Sequence, residues 1–335
     1  MKSYIIESYG KPEGIVAREH DIPKPALGQV LVRLHAAALN ARDLMVIGGV
    51  FHQGCKPELI PLSDGVGEVV AVGEGVWRVK LRDRVALTFH PHWIAGAQTP
   101  SPAALGRGVA VDGVLTEYTC VSQDELVHVP AHLSGEEAST LPCAAVTAWS
   151  ALCAHGKLLP GQSVLVQGTG GVSIFALQLA KLFGTRVLAT TSSPGKVARL
   201  EALGADVVID TTRTPDWVAE VHKHTGGEGA DVVVDLAGGE GLEQSGAAAR
   251  ELGRVSAVGM FNGAPAMGSS FFFRGVTVHP IRVGSRENFE QMNRAIAVAG
   301  LKPVVDRVFG FNEVHAALRH LQGRSHVGKV VVRLR

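Results

Sequence analysis

Two glycines one residue apart, Gly168 and Gly170, lie in the stretch QGTGGVS (residues 167–173), between the apolar run Val164–Val166 and the helically spaced IFALQLAKLF. That order suits the holding of a pyrophosphate. Gly168 permits a sharp turn at the end of a strand, and Gly170 and Gly171 let the backbone come close to phosphate oxygens. The helix that follows, with Val172 in its first turn, aims unpaired N–H groups at the negative charge. Thr169 belongs to the same loop. A full dinucleotide fingerprint has a third glycine where this chain has Ser173. That position serves the packing of helix on strand, so one small side chain there is expected to be tolerated.

The next strand bears on which dinucleotide binds. A site for NAD ends that strand with an acidic residue about 20 positions beyond the glycines, which bonds the ribose hydroxyls. Here RVLAT runs into Thr190, Thr191, Ser192 and Ser193, with Lys196 following. No carboxylate stands there to repel a 2′-phosphate, the hydroxyls can donate to it, and Lys196 offsets its charge. The pattern predicts NADPH. Ser192 or Ser193 can also cap the helix KVARLEAL, and capping is compatible with phosphate binding.

Such a loop needs a frame of alternating strands and helices. From Ser163 to about Ile281 the chain supplies six apolar strands: VLVQG, RVLAT, DVVID, DVVVDLA, RVSAVG and VTVHPI. Near-continuous apolar strands alternating with helices indicate an α/β fold, a doubly wound parallel sheet covered on both faces. Before it, short β-like runs separated by Gly and Pro (YIIE, QVLVRLHAAAL, GEVVAVG, DRVALTF, LTEYTCV) predict a β-rich domain over residues 1–126. A long helix is expected over Ser134–His155, opened by a capping box of Ser134 and Glu137. Two amphipathic helices, near 287–299 and 312–322, and a last strand, KVVVRL, follow the sheet.

Composition narrows the partners. The 335 residues are 46% hydrophobic, enough for two domains with substantial cores. Thirty-two basic residues nearly cancel 31 acidic ones, which argues against a nucleic-acid partner. No apolar run approaches the length of a membrane span, and the N-terminus lacks a signal-peptide core. Cys55, Cys120, Cys143 and Cys153 form no C-x-x-C pair, so reduced thiols in a cytoplasmic protein are expected.

In this order, the stretches HAAALNARDLMVIGG, PLSDGVGEVVAVGEGV, LPCAAVTAW, the glycine loop with LGADVVID, and HVGKVVV resemble the medium-chain dehydrogenase/reductase superfamily along essentially the whole chain. The resemblance implies a GroES-like β-barrel catalytic domain (1–126), a Rossmann NAD(P)-binding domain (127–282) and a return to the catalytic domain (283–335). It places Thr147 near the cofactor, Val258 and Met260 at the nicotinamide, and Lys329 near the pyrophosphate. Phe51, Phe89 and Trp93 become candidate apolar walls for a flat small-molecule substrate.

The chain departs from the superfamily's zinc enzymes, which carry a Cys-His pair and a Gly-His-Glu where this sequence reads Asn40-Ala41 and Leu62-Ser63-Asp64. Of the usual ligands Cys143 alone remains, and one thiol cannot make a three-ligand catalytic zinc site. His90 and His92 form an H-x-H with no third ligand placed. No metal is therefore expected. Asn40 followed three residues later by Asp43 looks similar to the zinc-free, zeta-crystallin-type quinone oxidoreductases and enoyl reductases. The resemblance makes Asn40 a neutral donor to the nicotinamide or a substrate carbonyl, and Asp43 an orienting residue. Both also suit an ordinary turn.

The expectation is thus NADPH-dependent hydride transfer to a quinone or α,β-unsaturated carbonyl. A zinc-independent alcohol dehydrogenase or carbonyl reductase, and a non-catalytic NADPH-binding protein, are the alternatives. No tyrosine is followed four residues later by lysine, and neither G-x-S-x-G nor H-E-x-x-H occurs. The apolar edge strand VTVHPIRVG predicts a homodimer, since an uncovered edge invites pairing with its copy.

Overall fold

Strands such as VLV and VVV, apolar at successive residues, must be covered on both faces, and this governs the second half of the chain. The computed structural model describes residues 1–98, 105–259, 263 and 267–335, with every side chain among them except that of His52. It divides into two units, Met1–Val146 with Gly284–Arg335, and Thr147–Val283.

The second unit is a six-stranded parallel sheet. Its order is Val207–Asp210, Arg186–Thr191, Ser163–Gln167, Ala230–Asp235, Ala249–Ala257 and Thr277–Pro280. Val164–Val166 and Val232–Val234 are wholly buried at its centre. The chain leaves Ser163–Gln167 toward one edge, then returns to continue toward the other. The order therefore reverses at that strand, where doubly wound sheets bind their ligands. Because all six strands run the same way, Thr191 closes its strand on the same rim of the sheet where Gly168, Leu236 and Val258 follow theirs.

In the first unit, seven strands form one sheet. Its path runs Val305–Gly310, Lys329–Arg333, Gln29–Ala38, Asp64–Val72, Arg84–Leu87 and Leu126–His128, with Tyr118–Ser122 also pairing Gln29–Ala38. The two end strands of this path do not pair with each other among the described residues, so the GroES-like part that the resemblance implied is present here without a closed ring of strands among those residues. Leu126–His128 pairs with Arg84–Leu87, and the first unit extends past residue 126 to Val146. Lys329–Arg333 lies between Gln29–Ala38 and Val305–Gly310, which draws the last segment into this unit.

The expected long helix begins as predicted: Ser134 Oγ accepts from Glu137 N, and Glu137 Oε2 accepts from Ser134 N. It is not regular beyond that. In Leu141–Ala145 and Ser150–Ala154 the turns widen, so that Val146 N reaches Leu141 O and His155 N reaches Ser150 O. Pro142, with no N–H to give, lies in the first of them. No helix among the described residues is long and apolar enough to cross a membrane.

Candidate active site

Strand register assembles the polar cluster of the first unit. Val331 pairs with Ala38 in an antiparallel ladder, and Leu39 N bonds Val330 O, so continuing the ladder sets Lys329 beside Asn40. On the other side Asp64 pairs with Ala38. Three strands thus deliver a lysine, an amide and a carboxylate to one place.

The Lys329 ammonium is buried. It donates to Leu39 O at 2.6 Å and to Asn40 Oδ1, and lies 3.6 Å from Asp64 Oδ2. Two of its N–H donors thus meet acceptors, and Asp64 adds an ion pair. Asp64 is also met by Ser63 Oγ at 2.6 Å and by the backbone N–H of Cys143 at 3.2 Å. Asn40 Nδ2 faces Ser63 Oγ at 3.4 Å, a long contact, and the Asn40 side chain also hydrogen-bonds the Asp64 carboxylate. Burial raises the Asp64 pKa against the pull of Lys329. Burial, reinforced by Asp64, pushes the Cys143 thiol well above its usual range.

Asn40 precedes the helix Ala41–Ile47, and Asp43 Oδ2 accepts from its backbone N–H at 2.7 Å. Asp43 is buried, and its Oδ1 has no hydrogen-bond partner; the nearest charge is the Arg42 guanidinium at 3.8 Å. Desolvation raises its pKa to about 6. Arg42 also bonds the carbonyls of Leu105 and Arg107 and lies over the Phe89 ring. Phe89 seats against Gly106, where a Cβ would stand 2.4 Å from the ring. Trp93 joins this group through the His90 ring, whereas Phe51 packs into the hydrophobic core with Leu44 and Cys55. His92 is exposed, and no three His, Cys, Asp or Glu side chains among the described residues are placed to hold a metal ion.

In the second unit the glycine loop has the form its sequence requires. Gly168 adopts φ +76°, a left-handed conformation, and its N–H bonds Thr190 O. A Cβ on Gly170 would meet nothing within 4 Å, so open space lies over the N-terminus of the helix Gly171–Leu182, with Val172 in its first turn. These residues fit a dinucleotide pyrophosphate. Ser173 is buried and donates to Gln167 O at 2.6 Å, tying helix to strand.

Lys196 Nζ bonds Thr169 Oγ1 at 3.0 Å, linking the serine-rich segment to the glycine loop. Thr191 is buried and its hydroxyl accepts from Ser193 N, while Ser192 is exposed. Ser193 precedes the short turn Pro194–Lys196 without a side-chain capping bond. Val258 N bonds Asp235 O at the rim, and Thr147 is buried at the start of this unit. Met260 lies outside the described residues. The sequence reading did not single out Asp235, Ser245 or the side chain of Gln167, which interlock beside the loop. A polar residue closing an apolar strand, as in VLVQ and DVVVD, was the available signal.

Comparison with known proteins fits this geometry. Residues 26–131 match the family model for the alcohol dehydrogenase GroES-like domain, and residues 171–298 that for zinc-binding dehydrogenase. A zinc-type alcohol dehydrogenase-like protein of Schizosaccharomyces pombe is 36% identical over 97% of this chain and 95% of its own. The chain belongs to the medium-chain dehydrogenase/reductase superfamily. Among other superfamily relatives, the acryloyl-coenzyme A reductase of Metallosphaera sedula is 30% identical over 99% of both chains. A crystal structure of an NAD-dependent alcohol dehydrogenase superposes with a TM-score of 0.91, at 33% identity, over 100% of both chains. The two units are accordingly the GroES-like and Rossmann parts of a medium-chain oxidoreductase, a superfamily whose dehydrogenases bind a nicotinamide cofactor.

Proposed function

We propose that this chain is a zinc-independent, NADPH-dependent oxidoreductase that reduces a quinone or an α,β-unsaturated carbonyl. The observation that carries the proposal is the buried ammonium of Lys329 among Leu39, Asn40 and Asp64. The donors around it do not fit a catalytic zinc, which takes three protein ligands of the His, Cys or carboxylate type. Of the side chains at 40, 63, 64 and 143, only Cys143 and Asp64 are of that type. The Asp64 carboxylate is already met by Ser63, Cys143 N and Lys329, and a fixed positive charge beside it opposes a second cation.

When bound, NADPH supplies a hydride. A conjugated acceptor then places less demand on the protein than a plain ketone, because the charge left by addition at its β-carbon is delocalised. Asn40 suits that lesser demand as a neutral amide donor to the carbonyl oxygen. Lys329 holds Oδ1, so the donor atom of the amide is Nδ2, which faces Ser63 and Asp64. A proton from solvent completes the reduction. The NADPH preference rests on Thr191, Ser192 and Ser193 in place of an acid, with Lys196 close by. A reducing, cytoplasmic setting belongs to the same proposal; none of the four cysteines is in a disulfide among the described residues.

A second reading, a zinc-independent alcohol dehydrogenase or carbonyl reductase, draws on relatives that carry alcohol dehydrogenase names. The test is oxidation of NADPH and of NADH with a quinone, an enone and a ketone panel, together with metal analysis of the active protein. Quinone or enone turnover with NADPH and no bound metal is expected. Stoichiometric zinc overturns the proposal, and turnover of the ketones alone favours the second reading.

A further inference from the structure

Beside the glycine loop, the second unit buries a carboxylate with no cation against it among the described residues. Asp235 closes the strand Ala230–Asp235 and is wholly inaccessible. Its Oδ1 accepts from Gly238 N at 2.9 Å and its Oδ2 from Ser245 Oγ at 2.6 Å. Ser245 Oγ in turn accepts from Gln167 Nε2 at 2.8 Å, and Gln167 Oε1 accepts from Leu236 N at 3.1 Å. Three of these bonds close a ring that runs from one strand end to the next and back through the Asp235–Leu236 peptide, and the fourth ties Gly238 to it. Such a ring is worth having only if its members are all satisfied, and these are.

The ring fixes one piece of backbone from both sides. Residues 236–239 are held by Gln167 and Asp235, with Gly238 and Gly239 in left-handed conformations. Across from them, Val258 N and Gly259 N bond the Asp235 carbonyl. A Cβ on Gly259 would stand 2.2 Å from Leu236 O, so the two segments meet at backbone contact. A turn between a strand and a helix does not need this much fixing to exist. In the strand order, Thr191 lies on one side of Gly168 and these segments on the other. A dinucleotide whose pyrophosphate sits at the glycine loop extends both ways from it, adenosine toward the second strand and nicotinamide toward the far side.

We infer that Gln167, Ser245 and Asp235 are positioning residues for the nicotinamide half of the cofactor, setting the backbone of 236–239 and 258–259 that receives it. The inference rests on the reading that a nicotinamide dinucleotide binds this unit. It assigns a role to three side chains that need not touch the cofactor themselves.

Calorimetric titration with NADPH and with 2′-phospho-ADP-ribose, which lacks the nicotinamide, tests it; NADH and ADP-ribose serve if NADH binds more tightly. Gln167→Leu and Ser245→Ala are expected to weaken the dinucleotide about tenfold and the fragment less than twofold. Asp235→Asn, which keeps an acceptor for Gly238 N, is expected to stay within about threefold for both. Hydrogen exchange at 236–239 should quicken in Gln167→Leu while that at 171–175 is unchanged. Equal loss of dinucleotide and fragment, or loss of neither, overturns the inference and leaves the cofactor reading standing. Wild-type protein that binds neither overturns both.

Discussion

Lys329 donates to the Oδ1 of Asn40 across 289 residues of sequence, and that bond decides which way the amide faces. A lone Asn at the head of a helix can turn its amide over. This one cannot without setting its NH2 group against an ammonium that is itself held by Leu39 O and Asp64. Asn40→Ala should therefore lower kcat by about 10²-fold, the scale of losing one preorganised donor, with cofactor Kd unchanged. Lys329→Met should cost about 3–5 kcal/mol as well, because Asp64 is left buried without its cation. Adding Asp64→Asn to Lys329→Met should restore the melting temperature and leave kcat low. Recovery of kcat in the double variant would show that the lysine serves folding alone.

Asp43 titrates unusually. Burial raises its pKa from 3.8 to about 6. In the folded chain it binds a proton more tightly than in the unfolded chain, so stability falls as pH rises from about 4 to 6 and is level above that. The shift corresponds to about 3 kcal/mol. Asp43→Asn keeps an acceptor for Asn40 N and removes the titration. Urea unfolding between pH 4 and pH 7 should show the wild type losing stability relative to Asp43→Asn by up to that amount. A pH-independent difference would refute it.

The proposed NADPH preference rests in part on Lys196. Lys196→Ala should raise the Kd for NADPH roughly 10- to 100-fold, the scale of a charge-assisted hydrogen bond, and that for NADH by less than twofold. Equal losses for the two would make the lysine a brace for Thr169, which it already bonds.

Ser173 is a brace of another kind. Its hydroxyl bonds Gln167 O within a buried seam. Ser173→Gly should cost about 1–2 kcal/mol through that bond and the added chain freedom, yet leave dinucleotide Kd within about twofold. Tighter binding in the glycine variant would mean that the side chain obstructs the phosphates.

The strand Thr277–Pro280 ends the second unit's sheet, with Leu252, Phe272 and Phe273 exposed in the same region. The homodimer proposed from the sequence would cover this edge. Light scattering should give twice the chain mass, falling to the single mass in Phe273→Glu/Thr277→Glu. A wild-type monomer refutes the proposal.

What the sequence revealed and what it hid divide by range. Gly168, Gly170 and the apolar strands announce themselves within a dozen residues, so the parallel sheet and its loop were readable. Asn40 and Asp43 were readable as turn residues, but not as the opening of the helix Ala41–Ile47. The pairing of Lys329 with Asn40 and Asp64 depends on ladder register between segments far apart, which no local pattern encodes. Pattern matching set Lys329 beside a pyrophosphate, and the structure has its ammonium among Leu39, Asn40 and Asp64. The two widened turns after Thr140 were hidden because their residues favour helix of any pitch.

That long separation also orders events during synthesis. Every residue of Thr147–Val283 is made between Asn40 and Lys329, so the Rossmann unit emerges whole while the other waits for a missing strand. Until Lys329–Arg333 arrives, Asp64 has no cation and Gln29–Ala38 lacks a neighbour. A nascent chain stalled after the second unit would expose just such a strand edge, and would be a target for chaperones. The lysine that orients the amide follows all of Thr147–Val283 in the chain, so an ordered polar cluster implies that the second unit has already been made.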